Sequence, residues 1–223
     1  MINPPFFEAV FFDMDGTLVD SEPTWLQSES ELMATYNYLW TEQDQAHCLG
    51  GPLLRVGEYM NDLAGQPENP QYFVDLLVNQ MVTKMSKGAC LMQGGMEIIN
   101  LTRSLGSKTA IVSASPRSLV DAVLNSIAPV AFELTISSDD VLKPKPDPES
   151  YLKAARFFGV DPKKCLVLED SKIGVDAAVA SGACVIAIPH LVPITASRQV
   201  KVFTSLTGLN RQTLLTIYQD WIN

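Results

Sequence analysis

Asp13 and Asp15 stand two residues apart at the end of the apolar run AVFF and are followed by Gly16 and Thr17. Two unit charges about 4 Å apart repel by on the order of 4 kcal/mol at an effective dielectric near 20. Such a pair therefore requires a cation or a shared proton. Glu169 and Asp170 end a second apolar run, CLVL, and Ser113 ends a third, TAIV. A lysine, Lys143, lies in the proline-rich loop KPKPD, with Lys145 as the alternative two residues on. Carboxylate and carbonyl oxygens without histidine or cysteine suit a hard ion, Mg²⁺ before Zn²⁺. Carboxylates, a cation, an ammonium and a hydroxyl in one place suit a transferring phosphoryl group.

For these residues to meet, the runs that carry them must lie side by side. Residues 9–12 read as a buried strand. From residue 93 onward strand and helix signals alternate: a helix through MEIINLTRSLG, a strand at 109–113, a helix from Ser115-Pro116, and a strand at 132–137. Asp147-Pro148 then open a helix that ends at Gly159. A strand at 165–170, a helix capped by Ser171 and ending near Gly182, and a strand at 183–189 follow, with a closing helix in RQTLLTIYQDWIN. This rhythm predicts right-handed crossovers and a mostly parallel sheet covered on both faces. Ligands of such sheets sit outside the carboxyl ends of the strands, where each of the polar residues named above falls.

Residues 21–88 differ, with helical patterns and no strand runs. Ser21 is placed to cap SEPTWLQSESELMATY, and YFVDLLVNQMVTKM has a broad apolar stripe. The expected fold class is α/β: a Rossmann-like three-layer core from residues 1–20 and 89–223, with an inserted α-helical cap domain at 21–88.

The chain has 223 residues, 47% hydrophobic and 18% charged, enough for a substantial core. Its formal charge of −9 argues against nucleic acid or an anionic membrane as partner, since both are bound through lysine and arginine. It also makes a monomer the expectation. Cys48, Cys90, Cys165 and Cys184 show no CxxC spacing, and His47 and His190 are the only histidines, so a zinc site is not expected. The N-terminus lacks the pattern of a signal peptide, and no run reaches membrane-spanning length, which together predict a cytoplasmic protein.

DMDGT at 13–17, Ser113 in IVSAS, Lys143 in KPKPD and Glu169-Asp170 in LEDSKIGVDAA resemble the four ordered motifs of the haloacid dehalogenase-like hydrolase superfamily. The resemblance spans residues 9 to about 190. The block after DGTLVDSEP resembles that superfamily's C1-type helical cap. DSEP and KPKPD look most like the group of β-phosphoglucomutases and sugar-phosphate phosphatases.

The resemblance implies roles. Asp13 would be the nucleophile and form an aspartyl-phosphate. Asp15 would protonate the leaving oxygen and then activate water, with its backbone carbonyl on Mg²⁺. Thr17 would hold the turn and orient Asp15. Ser113 and Ala114 would bind the phosphoryl group, and Lys143 would neutralise it. Asp13, Asp15, Glu169 and Asp170 would hold Mg²⁺, with Glu169 direct or through water. In the cap, Glu22 and Gly50 of CLGGP would reach the substrate.

More modest readings stand beside these. Ser115 is equally a helix cap, Trp25 a core aromatic, Glu169 a solvated neighbour of Asp170, and His190 a residue without function. The activity expected from the resemblance is a Mg²⁺-dependent phosphatase of a small sugar or polyol phosphate. A β-phosphoglucomutase-type isomerase is the alternative, followed by a non-catalytic phosphometabolite-binding protein. The cap loop HCLGGPLLR offers leucines where a mutase needs cations for a second phosphate.

Overall fold

The computed structural model describes residues 6–48, 52–128, 130, 132–190 and 192–223. Its sheet is built from β1 (Ala9–Phe12), β2 (Lys108–Val112), β3 (Leu134–Ile136), β4 (Cys165–Glu169), β5 (Cys184–Ala187) and β6 (Val200–Val202). The order is β3-β2-β1-β4-β5-β6, and every neighbouring pair runs parallel. The rhythm of the sequence predicts this sheet, except that β6 carries no strand signal of its own and β3 is shorter than the run 132–137. β1 lies at the centre. The chain departs to β2 on one side and to β4 on the other, so the strand order reverses there and opens a crevice at the carboxyl edge.

The strands alternate their side chains between two cores. Val10 and Phe12 of β1, Ile111 of β2, and Leu166 and Leu168 of β4 pack on one face with helices α5 (Gly95–Ser104), α6 (Arg117–Ser126) and α9 (Arg211–Ile222). Ala9 and Phe11, Ala110 and Val112, and Cys165 and Val167 point the other way, onto α7 (Glu149–Phe158) and α8 (Lys172–Ser181). A strand buried on both faces must be apolar throughout, which is why AVFF and CLVL are continuous runs rather than alternating ones.

Four helices precede α5: α1 (Glu22–Ala34), α2 (Glu42–Cys48), α3 (Leu53–Leu63) and α4 (Pro70–Met85). Leu32, Met33, Trp40, Met60, Phe73 and Leu77 form a third hydrophobic cluster among them. The C-terminal turns of α4 reach the sheet layer, where Met81 and Met85 join the core under α5 and α6. The two segments that connect these helices to the sheet run together: Asp20 N–H donates to Cys90 O (2.9 Å) and Met92 N–H to Leu18 O (2.8 Å). Among the described residues, no helix is long and apolar enough to cross a membrane.

Candidate active site

The backbone of Asp13 is fixed by a bond from its N–H to Leu168 O at 3.0 Å, which sets the end of β1 level with the end of β4. Beyond it the chain turns through Gly16 at φ 76°, a left-handed conformation. A Cβ there would lie 2.4 Å from Asp170 Oδ2. The DGT turn thus needs glycine both for its backbone and for the approach of Asp170. Asp13, Glu169 and Asp170 offer carboxylate oxygens within 4.8 Å of one another.

Lys145 is the ammonium of this cluster. Its Nζ lies 2.7 Å from Asp13 Oδ1 and 2.7 Å from Glu169 Oε1, and also donates to Val112 O at 2.9 Å. The expectation that Lys143 plays this part is corrected. Lys143 has a side chain 74% exposed, with Asp147 as its ion partner at 4.0 Å. The loop is anchored by Glu149, whose carboxylate accepts the N–H groups of Leu142 and Lys143 at 2.9 and 2.8 Å. The chain bends at Lys143 and turns at Lys145–Pro146, so the two lysines do not share a face as residues two apart would on a straight strand. The spacing from Lys145 to the start of α7 was the signal available to choose between them.

Glu169 is fully buried and saturated. Oε1 accepts from Lys145 and from Tyr151 OH (2.8 Å), and Oε2 accepts from Asp170 N, Ser171 N and Ser171 Oγ at 3.0–3.2 Å. The first turn of α8 closes over it so tightly that a Cβ on Gly174 would lie 1.7 Å from Oε1. The modest reading of Glu169 as a solvated residue therefore fails, and its donors leave it a poor direct metal ligand.

Asp13 uses Oδ1 for Lys145, and Asp170 uses Oδ1 for Thr17 Oγ1 at 3.0 Å. One oxygen of each carboxylate stays available for a cation. This all-oxygen donor set, with more negative charge than Lys145 offsets, fits a divalent metal of the hard class. Burial and then Glu169 push the Asp13 carboxyl well up, against the pull of Lys145. Burial and then Asp13 push Asp170 up. Burial opposes the charge of Lys145, but Asp13 and Glu169 outweigh it and hold its pKa well above the usual value. A cation between Asp13 and Asp170 would relieve both acids.

Asp15 belongs to a separate network. Its Oδ2 accepts from Ser115 Oγ at 2.7 Å and from Ser113 Oγ at 3.4 Å, and its Oδ1 accepts from Trp25 Nε1 at 3.2 Å. Two expectations change here. Ser115 does not cap α6, whose N-cap is Pro116 without a side-chain bond; it holds Asp15. Thr17 is buried and engages Asp170 instead of Asp15 or the cavity. Ser113, also buried, accepts the N–H of Ser115 at 2.9 Å and so shapes the loop, whereas Ala114 and Ser115 line the cavity.

That cavity, of about 170 Å³, lies between the carboxyl edge of the sheet and α1–α3. Asp13, Asp15, Lys145 and Asp170 line its sheet side, and Glu22, Trp25 and Glu29 its helical side. Gly50 lies outside the described residues. Ser21 does not cap α1 with its side chain; its buried Oγ has no hydrogen-bond partner among the described residues. Glu22 at the start of α1 is raised to about 7 by burial and then by Asp15 and Asp20. His190 also reaches the site, its Nε2–H donating to Gly16 O at 2.6 Å. Lys145, Glu29 and His190 had weak local signals; each is brought in by chain segments distant in sequence.

A model of the haloacid dehalogenase-like hydrolase family matches residues 10–188, which takes in Asp13, Asp15, Lys145, Glu169 and Asp170. The chain belongs to that family. It is a phosphatase-type hydrolase. Among curated relatives, hexitol phosphatase B of Escherichia coli is 31% identical over 85% of this chain and 86% of its own length. Protein CbbY of Rhodobacter capsulatus is 28% identical over 82% of this chain and 85% of its own length. Among solved structures, β-phosphoglucomutase of Clostridium difficile shares the fold with a TM-score of 0.81 and 20% identity, covering 97% of this chain and 99% of that one.

Proposed function

We propose that the protein is a Mg²⁺-dependent phosphatase that hydrolyses a small sugar or polyol phosphate through a phosphorylated Asp13. The observation that carries this reading is the division of the two strand-end aspartates. Asp13 is bound to Lys145, whereas Asp15 is bound by Ser115 and Trp25 and is aimed into the same cavity.

A phosphate ester enters with its phosphoryl group toward Lys145 and Ala114–Ser115. A carboxylate oxygen of Asp13 attacks phosphorus as the ester P–O bond breaks. Protonated Asp15 delivers its proton to the departing alkoxide. Asp15 then takes a proton from water, water oxygen bonds to phosphorus, and the acyl-phosphate P–O bond breaks to release inorganic phosphate and restore Asp13. Lys145 balances charge on the phosphoryl oxygens at both steps. Mg²⁺, held by Asp13, Asp170 and the main-chain carbonyl of Asp15, would supply charge neutralisation and orientation. Helices α1–α4 act as a lid whose Trp25 excludes water and steadies Asp15.

The helical wall also favours hydrolysis over a mutase reaction. A mutase must grip a second phosphate there, yet this wall carries Glu22 and Glu29. Arg55, the basic residue of α3, donates to the carbonyl oxygens of His47 and Cys48. The name of hexitol phosphatase B supports an alditol or sugar phosphate as substrate.

The test is phosphate release from a panel of sugar and polyol phosphates, with Mg²⁺ and with chelator. Release in Mg²⁺ that stops in chelator and returns on adding the ion is expected. Full rate in chelator, or isomerised sugar phosphate in place of free phosphate, would overturn the reading.

A further inference from the structure

The two lysines that line the cavity, Lys145 and Lys172, come from its sheet side, where Asp13, Asp15 and Asp170 also stand. Its helical side carries two acids on one face of α1, Glu22 and Glu29, seven residues and two turns apart. Glu29 is the deeper of the two, 4% exposed. Its Oε2 accepts a hydrogen bond from Trp40 Nε1 at 3.1 Å, and Trp40 is itself buried in the cluster among α1–α4. That bond fixes the carboxyl against the wall of the cavity, and no hydrogen bond to Oε1 is found among the described residues. A carboxyl that lines a cavity with one oxygen free of protein donors can be completed there by a ligand.

Burial and then Glu22 raise the Glu29 pKa to about 8. The group is therefore mostly a neutral acid near pH 7, able to donate through O–H as well as accept. A hydroxyl matches both functions. A second phosphate or carboxylate could only accept from Glu29, and it would be desolvated beside two acids.

We propose that Glu29, held by Trp40, hydrogen-bonds a hydroxyl on the carbon chain of the substrate, so that the enzyme selects phosphate monoesters of uncharged polyhydroxy compounds and rejects esters with a second anionic group. This rests on the reading of the cavity as a phosphatase site. Glu29 acts in specificity and touches neither the phosphoryl group nor Asp15.

The experiment compares kcat/KM for a hexitol monophosphate, hexyl phosphate and a hexitol bisphosphate in the wild type, Glu29→Leu and Glu29→Gln. A site that hydrogen-bonds a substrate hydroxyl discriminates strongly against the analogue lacking it. The wild-type preference for the hexitol ester over hexyl phosphate is expected to fall by about ten-fold or more in Glu29→Leu. It should stay within about three-fold in Glu29→Gln, which keeps a donor and an acceptor. At pH 9, where the wild-type acid is ionised, the Gln variant should gain about five-fold or more on the bisphosphate relative to the monophosphate. If Glu29→Leu does not fold by circular dichroism, the two ratios in Glu29→Gln decide alone. Unchanged discrimination against the bisphosphate at pH 9 in Glu29→Gln, or an unchanged hexitol preference in folded Glu29→Leu, overturns the proposal. A wild type that releases phosphate from none of the three esters overturns the phosphatase reading as well, and so separates the two failures.

Discussion

Lys145 Nζ and Asp13 Oδ1 lie 2.7 Å apart in a contact from which water is almost excluded, the two side chains being 4% and 9% exposed. Glu169 shares the ammonium at the same distance, so one cation serves two buried carboxylates. An arrangement of this kind is expensive to break, because removal of one partner leaves an uncompensated buried charge. It also puts a positive charge where a phosphoryl group must arrive to meet Asp13.

The two lysines of the KPKPD loop are therefore expected to separate cleanly. Lys145→Ala should lower kcat by about 100-fold or more, as for loss of a transition-state electrostatic donor. Lys143→Ala should stay within about two-fold, as befits an exposed side chain. Phosphate-release kinetics on both variants check this; equal losses would show that the ion pair is not the catalytic one.

Asp13 and Asp15 should fail in different ways. Asp13→Asn should abolish turnover and prevent any covalent phosphorylation detectable by intact-protein mass. Asp15→Asn should lower turnover by about 10²–10⁴-fold, the usual contribution of a general acid–base. Its phosphorylation step should recover in part with aryl phosphates, whose leaving groups need little protonation. A phosphorylated species that accumulates in Asp15→Asn is the signature to seek.

Trp25 links the helical layer to the acid through its bond to Asp15 Oδ1. Trp25→Phe keeps the ring and removes the indole N–H. The loss of one hydrogen bond to Asp15 predicts a fall of about ten-fold in kcat, with a smaller change in KM. A change confined to KM would mark Trp25 as a substrate platform alone.

Glu29 makes stability depend on pH. Its pKa is about 8 in the folded protein against the usual 4.5, so the folded state binds the proton more tightly than the unfolded chain. The stabilisation is full below 4.5 and is lost as pH rises toward 8. Other buried acids titrate in the same direction, so the measurement is a difference. Urea unfolding at several pH values should show a steeper decline in wild type than in Glu29→Gln. Parallel profiles would refute the shift.

Gly174 offers a test of packing alone. Gly→Ala in a helix ordinarily stabilises by a few tenths to about 1 kcal/mol. Here the added Cβ would collide with Glu169 at 1.7 Å. Gly174→Ala should instead cost about 3 kcal/mol, read as a lower midpoint in urea.

The sequence by itself determined the elements and their order. AVFF, TAIV and CLVL are short apolar runs, and a strand covered on both faces needs such a run whatever its neighbours. The helices between them carry their own periodicity and stops, so a parallel sheet with acids at its carboxyl edge was legible residue by residue. Tertiary structure alone decided which groups complete the site. Lys145 rather than Lys143 turns inward because Glu149 anchors the loop. Ser115 leaves its cap to hold Asp15, which lies 100 residues away in the chain. Glu29, an ordinary polar position of α1 by its spacing, faces the cavity because Trp40 folds back onto it. These choices depend on contacts between segments far apart in sequence, and local propensity and spacing carry no record of them.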